Sequence, residues 1–166
     1  MIEIIKDNIV NLDVDCIVNA ANTALAGGGG VDGAIHAAAG QQLYDACSKI
    51  GYCAVGDAVI TPGFDLKAKY IIHTVGPIYN RFDKDRCKEL LSNCYKNSLD
   101  LARKYSIHSI AFPCISAGVY GYPIEDSCKI AISSVKKWLD INSYDMNVKL
   151  VCFTDDEYRV YSDSQR

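Results

Sequence analysis

Apolar and polar positions along the chain follow two alternating rhythms. Short β-branched runs predict strands at Ile2–Ile5, Cys16–Val18, Ala58–Thr61, Tyr70–Val75, Ser109–Pro113 and Val148–Phe153. Between them, apolar residues recur at three- and four-residue steps. Cys87, Leu90, Leu91, Cys94, Ser98, Leu101, Ala102 and Tyr105 mark one helix. Cys128, Ala131, Ile132, Val135, Trp138 and Leu139 mark a second, opened by Glu125 and Asp126, whose charges complement its dipole. A less amphipathic helix starts near Val31 and passes through Ala34–Ala39. Gly40 divides it from a further segment, Gln41–Ile50. No linker, repeat or low-complexity stretch interrupts residues 1–166, so a single domain is expected. Strands alternating with helices of this length predict an α/β fold, with a largely parallel sheet covered on both faces. Ligands of such sheets gather beyond the carboxyl ends of the strands, where the following loops converge.

Composition narrows the class. Apolar residues make up 49% of the chain and charged residues 22%, close to the soluble globular average. A chain of 166 residues buries roughly 70% of its unfolded surface as one domain. The net charge of -3 argues against a sequence-independent grip on a phosphate backbone, so nucleic acid is not an expected partner. No apolar run approaches the roughly 18 residues of a membrane span, and no basic-then-apolar leader opens the sequence. A cytoplasmic protein without a membrane partner is the expectation. Eight cysteines occur, yet no pair forms C-x-x-C, and several sit inside apolar strand or helix patterns. Buried, reduced thiols are therefore expected, rather than a disulfide framework or a zinc site.

Two stretches follow predicted strands and carry the unusual chemistry. The first is "NAANTALAGGGGVDGAIH", Asn19 to His36, and the second "CISAGVYGYP", Cys114 to Pro123. Gly28, Gly30 and Gly33 spell G-x-G-x-x-G, but they do not follow their strand directly, and only Asp57 stands near the place of a ribose-binding acid. A dinucleotide fingerprint is thus poorly matched. Lysine and arginine are absent from Asn19 to Gly40 and from Ser106 to Ile124. If these loops bind phosphate, they do so with backbone N–H groups and a helix N-terminus. Asp32 is the lone carboxylate of the first loop. It can orient or deprotonate a water, or it can serve as an ordinary first-turn acid. Asn22 can offer its amide to a sugar hydroxyl or close an Asx turn. His36, four residues beyond Asp32 on the same helical face, reads as a packed or hydrogen-bonded partner rather than a base.

Taken together, "VDCIVNAANTALAGGGGVDGAIHAAAG", "YIIHTVGP" and "IAFPCISAGVYGYP" resemble the macrodomain family, in particular its MacroD-type ADP-ribosyl hydrolase branch, from about Ile2 to Tyr158. The resemblance implies a three-layer α/β/α fold with a mixed, mostly parallel six-stranded sheet and an ADP-ribose cleft at its carboxyl edge. It implies hydrolysis of the ester joining ADP-ribose to aspartate or glutamate side chains, with O-acetyl-ADP-ribose as a related substrate. A non-catalytic ADP-ribose reader would share the same pocket, as would a module binding poly(ADP-ribose) or single-stranded RNA through the same adenine slot. An RNA-binding module would call for a basic groove with interleaved aromatics, and the chain is acidic overall. By position, Asn22 corresponds to the residue holding the distal ribose hydroxyls, and Asp32 to the acid that positions the attacking water. Gly29, Gly30 and Val31 correspond to the loop around the distal ribose. Ser116, Ala117, Gly118, Val119 and Tyr120 correspond to the loop that cradles the diphosphate. Phe153 matches the aromatic that stacks on adenine, and Ile9 lines the adenine pocket. Two positions depart from the family pattern. Asn8 stands where an aspartate accepts the adenine amino hydrogen, with Asp7 beside it, and Ala117 replaces a threonine. The motif of the zinc-dependent branch is not apparent. No metal or other cofactor is expected, and the chain is expected to act as a monomer.

Overall fold

The predicted alternation builds six strands and five helices in the computed structural model, which describes residues 1–165. Strands β1 (Ile2–Lys6) and β2 (Cys16–Ala20) precede helices α1 (Gly30–Ala39) and α2 (Gln41–Ile50), which are separated at Gly40. Then come β3 (Ala58–Pro62), β4 (Tyr70–Thr74), α3 (Lys84–Lys104), β5 (Ser109–Phe112), α4 (Ile124–Asn142), β6 (Asn147–Cys152) and α5 (Asp155–Gln165). The sheet order is β1-β6-β5-β2-β4-β3. Every pairing is parallel except that of β3 with β4. The stretch between Pro62 and Tyr70 is too short for the dozen or more residues that a parallel crossover needs, so the chain turns straight back. Pro62, which has no N–H to donate, sits on the outer strand, where none is required.

Period-two side-chain alternation splits the core into two layers. Cys16, Val18, Ile72, Ile110, Phe112, Val148 and Leu150 face one side of the sheet, where they pack with α3, α4 and Tyr161 of α5. Ile17, Ile71, Ala111 and Val151 face the other and pack with Ile35 and Ala39 of α1 and Leu43 and Cys47 of α2. A three-layer α/β/α domain results. Most of the predicted stripe of α3 is buried (Cys87, Leu90, Leu91, Cys94, Ser98 and Ala102), whereas Leu101 is half-buried and Tyr105, the C-cap just past the helix, is exposed. That helix begins a turn earlier than its apolar periodicity, because Asp83 caps it by accepting from the Arg86 N–H at 2.8 Å. All eight cysteines are free, seven of them buried and Cys114 half-buried.

The sequence pattern missed α5, in which only Tyr161 is buried. Its start was nevertheless written in the chain as a capping box, Thr154-x-x-Glu157. Thr154 Oγ1 accepts from the Glu157 N–H at 3.1 Å, and Glu157 Oε1 accepts from the N–H groups of Thr154 and Phe153 at 3.0 and 2.9 Å.

Leu91 is fully buried between α3 and the sheet. Leu91→Ala should cost about 3 kcal/mol by lost transfer energy and cavity formation, and lower the melting temperature by about 10 °C in calorimetry.

Candidate functional site

The loops after β1, β2, β5 and β6 enclose a cleft of about 670 Å³ at the carboxyl edge of the sheet, within the range of small-molecule sites. Most predicted site residues line it: Asn8, Ile9, Asn22, Gly29, Gly30, Val31, Asp32, Ser116, Gly118, Val119, Tyr120 and Phe153. Ala117 is not among the lining residues. Asp7, Gly28, Cys114, Thr154 and Glu157 also line the cleft and were not predicted to do so by the motifs, apart from Asp7's place beside Asn8. Among the described residues, no lysine or arginine faces the space, whereas Asp7, Asp32 and Glu157 do.

An anion in this cleft must therefore be met by main chain. Gly29 caps α1 without a side-chain hydrogen bond, which leaves the first amides of that helix unpaired by any cap. Among the described residues, the N–H groups of Gly118, Val119 and Tyr120 donate to no protein acceptor. These are two sets of unpaired donors among the residues lining the cleft, with a helix dipole behind one of them. Both loops rely on close backbone contact. A Cβ on Gly33 would overlap the Gly28 carbonyl oxygen, so glycine there lets the first loop fold back onto α1. A Cβ on Gly76 would overlap Ser116 Oγ, which donates to the Pro77 carbonyl at 2.9 Å. Ser116 holds a left-handed φ of 64° while buried, a local strain that this bond helps to maintain.

Asn22 serves the loop and faces the cleft. Its Nδ2 donates to the Gly27 carbonyl at 2.9 Å, and its Oδ1 accepts from the Ala26 N–H at 3.1 Å. One amide hydrogen and one lone pair remain for a ligand. Asn8 caps the 3₁₀ turn Ile9–Asn11 by accepting from the Val10 N–H at 3.3 Å. Asp7 accepts from the Asn8 N–H at 2.7 Å. At the same end of the cleft Ile9 is buried, while Phe153 is 72% exposed and presents an open aromatic face.

Asp32 lies in the first turn of α1 and is only 6% exposed. Its Oδ1 accepts from Asn19 Nδ2 at 2.8 Å, and His36 Nε2 stands 3.4 Å from the same oxygen. His36 is buried under the Tyr44 ring, and burial pushes its pKa below the usual value despite the opposing pull of Asp32. Asn19 Nδ2 also lies 3.1 Å from His73 Nδ1, and His73 Nε2 lies 2.9 Å from Thr61 Oγ1. Burial drives the His73 pKa down to about 3. Motif reading passed over Asn19, His73 and Thr61. Their signal was a polar residue at each of three positions within otherwise apolar strands.

The domain is thus of a class in which a doubly covered sheet holds a nucleotide-sized cleft at its carboxyl edge. Comparison with known proteins makes the class specific. A family model described as Macro domain matches residues 18–131. A macro domain-containing protein of Methanosarcina mazei is 52% identical over 155 residues, covering 93% of this chain and 82% of that protein. ADP-ribose glycohydrolase MACROD2 of Homo sapiens is 47% identical over 161 residues, 96% of this chain but only 38% of that protein. A mutant macrodomain of Oceanobacillus iheyensis, solved with ADPR, superposes with a TM-score of 0.95 at 43% identity, covering 99% of this chain and 91% of that one. The chain belongs to the Macro domain family.

Two outcomes follow from this geometry. Gly76→Ala should dislodge Ser116 and lower the melting temperature by several degrees, about 1–3 kcal/mol of overpacking, which a thermal scan would detect. His73 carries its proton in the unfolded chain below pH 6.5 but resists it in the fold until about pH 3. The unfolded state therefore binds more protons in that window, and stability falls as pH drops, by about 1.4 kcal/mol per unit from this group. Urea unfolding from pH 6.5 downward should show a shallower loss in His73→Asn than in the unaltered protein.

Proposed function

We propose that this protein binds ADP-ribose in the cleft and hydrolyses the ester that links it to aspartate or glutamate side chains, with O-acetyl-ADP-ribose as a smaller substrate of the same chemistry. The observation that carries the reading is Asp32: a carboxylate in a cleft that no lysine or arginine among the described residues lines, one oxygen anchored by Asn19, beside donors suited to a diphosphate. The names of the human relative and of the ligand in the Oceanobacillus structure support it.

In this reading the diphosphate lies between the amides of Gly118, Val119 and Tyr120 and the N-terminus of α1. Adenine stacks on Phe153 over Ile9, with Asn8 at its edge, as exposed aromatics stack bases in other sites. The distal ribose then rests against Gly29, Gly30 and Val31. Asn22 gives its remaining hydrogen and lone pair to the ribose hydroxyls. The free oxygen of Asp32 holds a water against the ester with the help of a substrate phosphate oxygen. The water splits the ester, leaving a free carboxylate and ADP-ribose. Holding that water at attack distance removes much of the entropic barrier, and general-base help adds to it.

Asp32→Ala should slow release of ADP-ribose from a glutamate-modified protein by about 10²–10⁴-fold. Its calorimetric affinity for ADP-ribose should stay near that of the unaltered protein. Equal turnover by the two proteins would remove Asp32 from the mechanism, and no release above the enzyme-free rate would leave a binding module.

A further inference from the structure

His73 lies outside the cleft, yet it touches the group that holds the cleft's acid. Asn19 and His73 are register partners on β2 and β4, and both side chains point to the layer that contains α1 and α2. A carboxylate can only accept, so the Asn19 NH₂ must face Asp32 Oδ1 at 2.8 Å. The second hydrogen of that NH₂ is then aimed at His73 Nδ1, 3.1 Å away. That nitrogen must accept, which puts the ring proton on Nε2, where Thr61 Oγ1 receives it at 2.9 Å. The other end of the Asn19 amide has no anchor, because its buried Oδ1 has no hydrogen-bond partner among the described residues. Only its two donated bonds hold this side chain, and one of them ends on His73.

We infer that His73 is a positioning residue for hydrolysis: as a neutral, Nε2-protonated ring it locks the Asn19 amide so that Asp32 presents its free oxygen to the substrate water. The inference rests on the role of Asp32 proposed above. The other groups facing the ring agree with a neutral state. His36 stands 6.5 Å away between centroids, a second ring that disfavours a positive charge, and the Cys47 sulfur lies 3.9 Å from Nε2. Asp32 reaches His73 only through the Asn19 amide. A protonated His73 would offer Asn19 a donor where it needs an acceptor, and the amide would lose one of its two anchors.

Ring-¹⁵N histidine labelling tests the state of the ring directly, with His73 assigned by its absence from His73→Asn. A pyrrole-type Nε2 and a pyridine-type Nδ1 are expected, with no titration at the ordinary histidine value of 6.5. An Nδ1-protonated ring, or one titrating there, would overturn the inference. Two variants test the consequence. His73→Leu removes the acceptor, whereas His73→Asn places an amide oxygen near the lost Nδ1. His73→Leu should reduce kcat for release of ADP-ribose from glutamate by about 10- to 100-fold, the cost of leaving a buried Asn19 amide hydrogen without an acceptor. Its affinity for ADP-ribose should hold, and His73→Asn should recover most of the rate. Unchanged kcat in a His73→Leu protein that still binds ADP-ribose would overturn the role, as would equal loss in both variants. If His73→Leu fails to fold, the ring spectrum and His73→Asn decide. An unaltered protein that binds ADP-ribose but releases none would instead defeat the hydrolase reading, while the spectrum still reports the ring's state.

Discussion

A single side-chain amide joins the sheet to the floor of the cleft. Asn19, near the end of β2, is buried and points its NH₂ at Asp32 on α1 and at His73 on β4. Hydrogen bonds to an ionised acceptor are stronger than neutral ones, and inside a protein they are weakened little by water. The contact ties the first turn of α1 to the strand that precedes it, alongside the packing of Ile35 and Ala39 against the sheet. The position of Asp32, the loop that runs from Asn22 to Gly29 and the wall formed by the first turn of α1 all depend on that placement.

Under the proposed function, the cleft would hold an anion without a lysine or arginine among its described lining residues. Lysine or arginine would supply charge, but each brings a long, mobile side chain and its rotamer entropy. Backbone amides from the loop after β5 and from the start of α1 are already held by the fold, so binding costs them little further order. The arrangement requires the chain to come close to its ligand and to itself. Gly33 against Gly28 and Gly76 against Ser116 mark places where a Cβ would keep two segments apart. The three carboxylates in the cleft are partly occupied by the protein. Asp7 binds the Asn8 amide, Glu157 caps α5 and Asp32 holds Asn19.

Most of this architecture was legible in the chain, and the parts that were not have physical reasons. Two of the five helices, α3 and α4, showed clearly in the apolar pattern, while α1 and α2 were marked more by the Gly40 break between them than by amphipathic spacing. The fifth, α5, buries one aromatic and offers little periodicity, although Thr154 and Glu157 mark its cap. Asn22 and Asp32 stood out because they are polar side chains of a small-residue, glycine-rich stretch placed after a predicted strand and at the head of a helix. Asn19 and His73 did not, since each sits in a strand beside apolar neighbours and their meaning lies in facing each other. Ala117 was grouped with its loop neighbours by position, yet it does not line the cleft.

By itself the chain determined its strands and most of its helices, the two-layer apolar pattern, the absence of cations from both loops and the acid at the head of α1. These are properties of residues close in sequence, where side-chain period and capping chemistry act. Tertiary structure alone decided that β3 runs against β4, that Asn22 spends part of its amide on its own loop, and that Asn19 stands between Asp32 and His73. Such features depend on strand register and on the distances between segments far apart in the chain, and no local period encodes a distance.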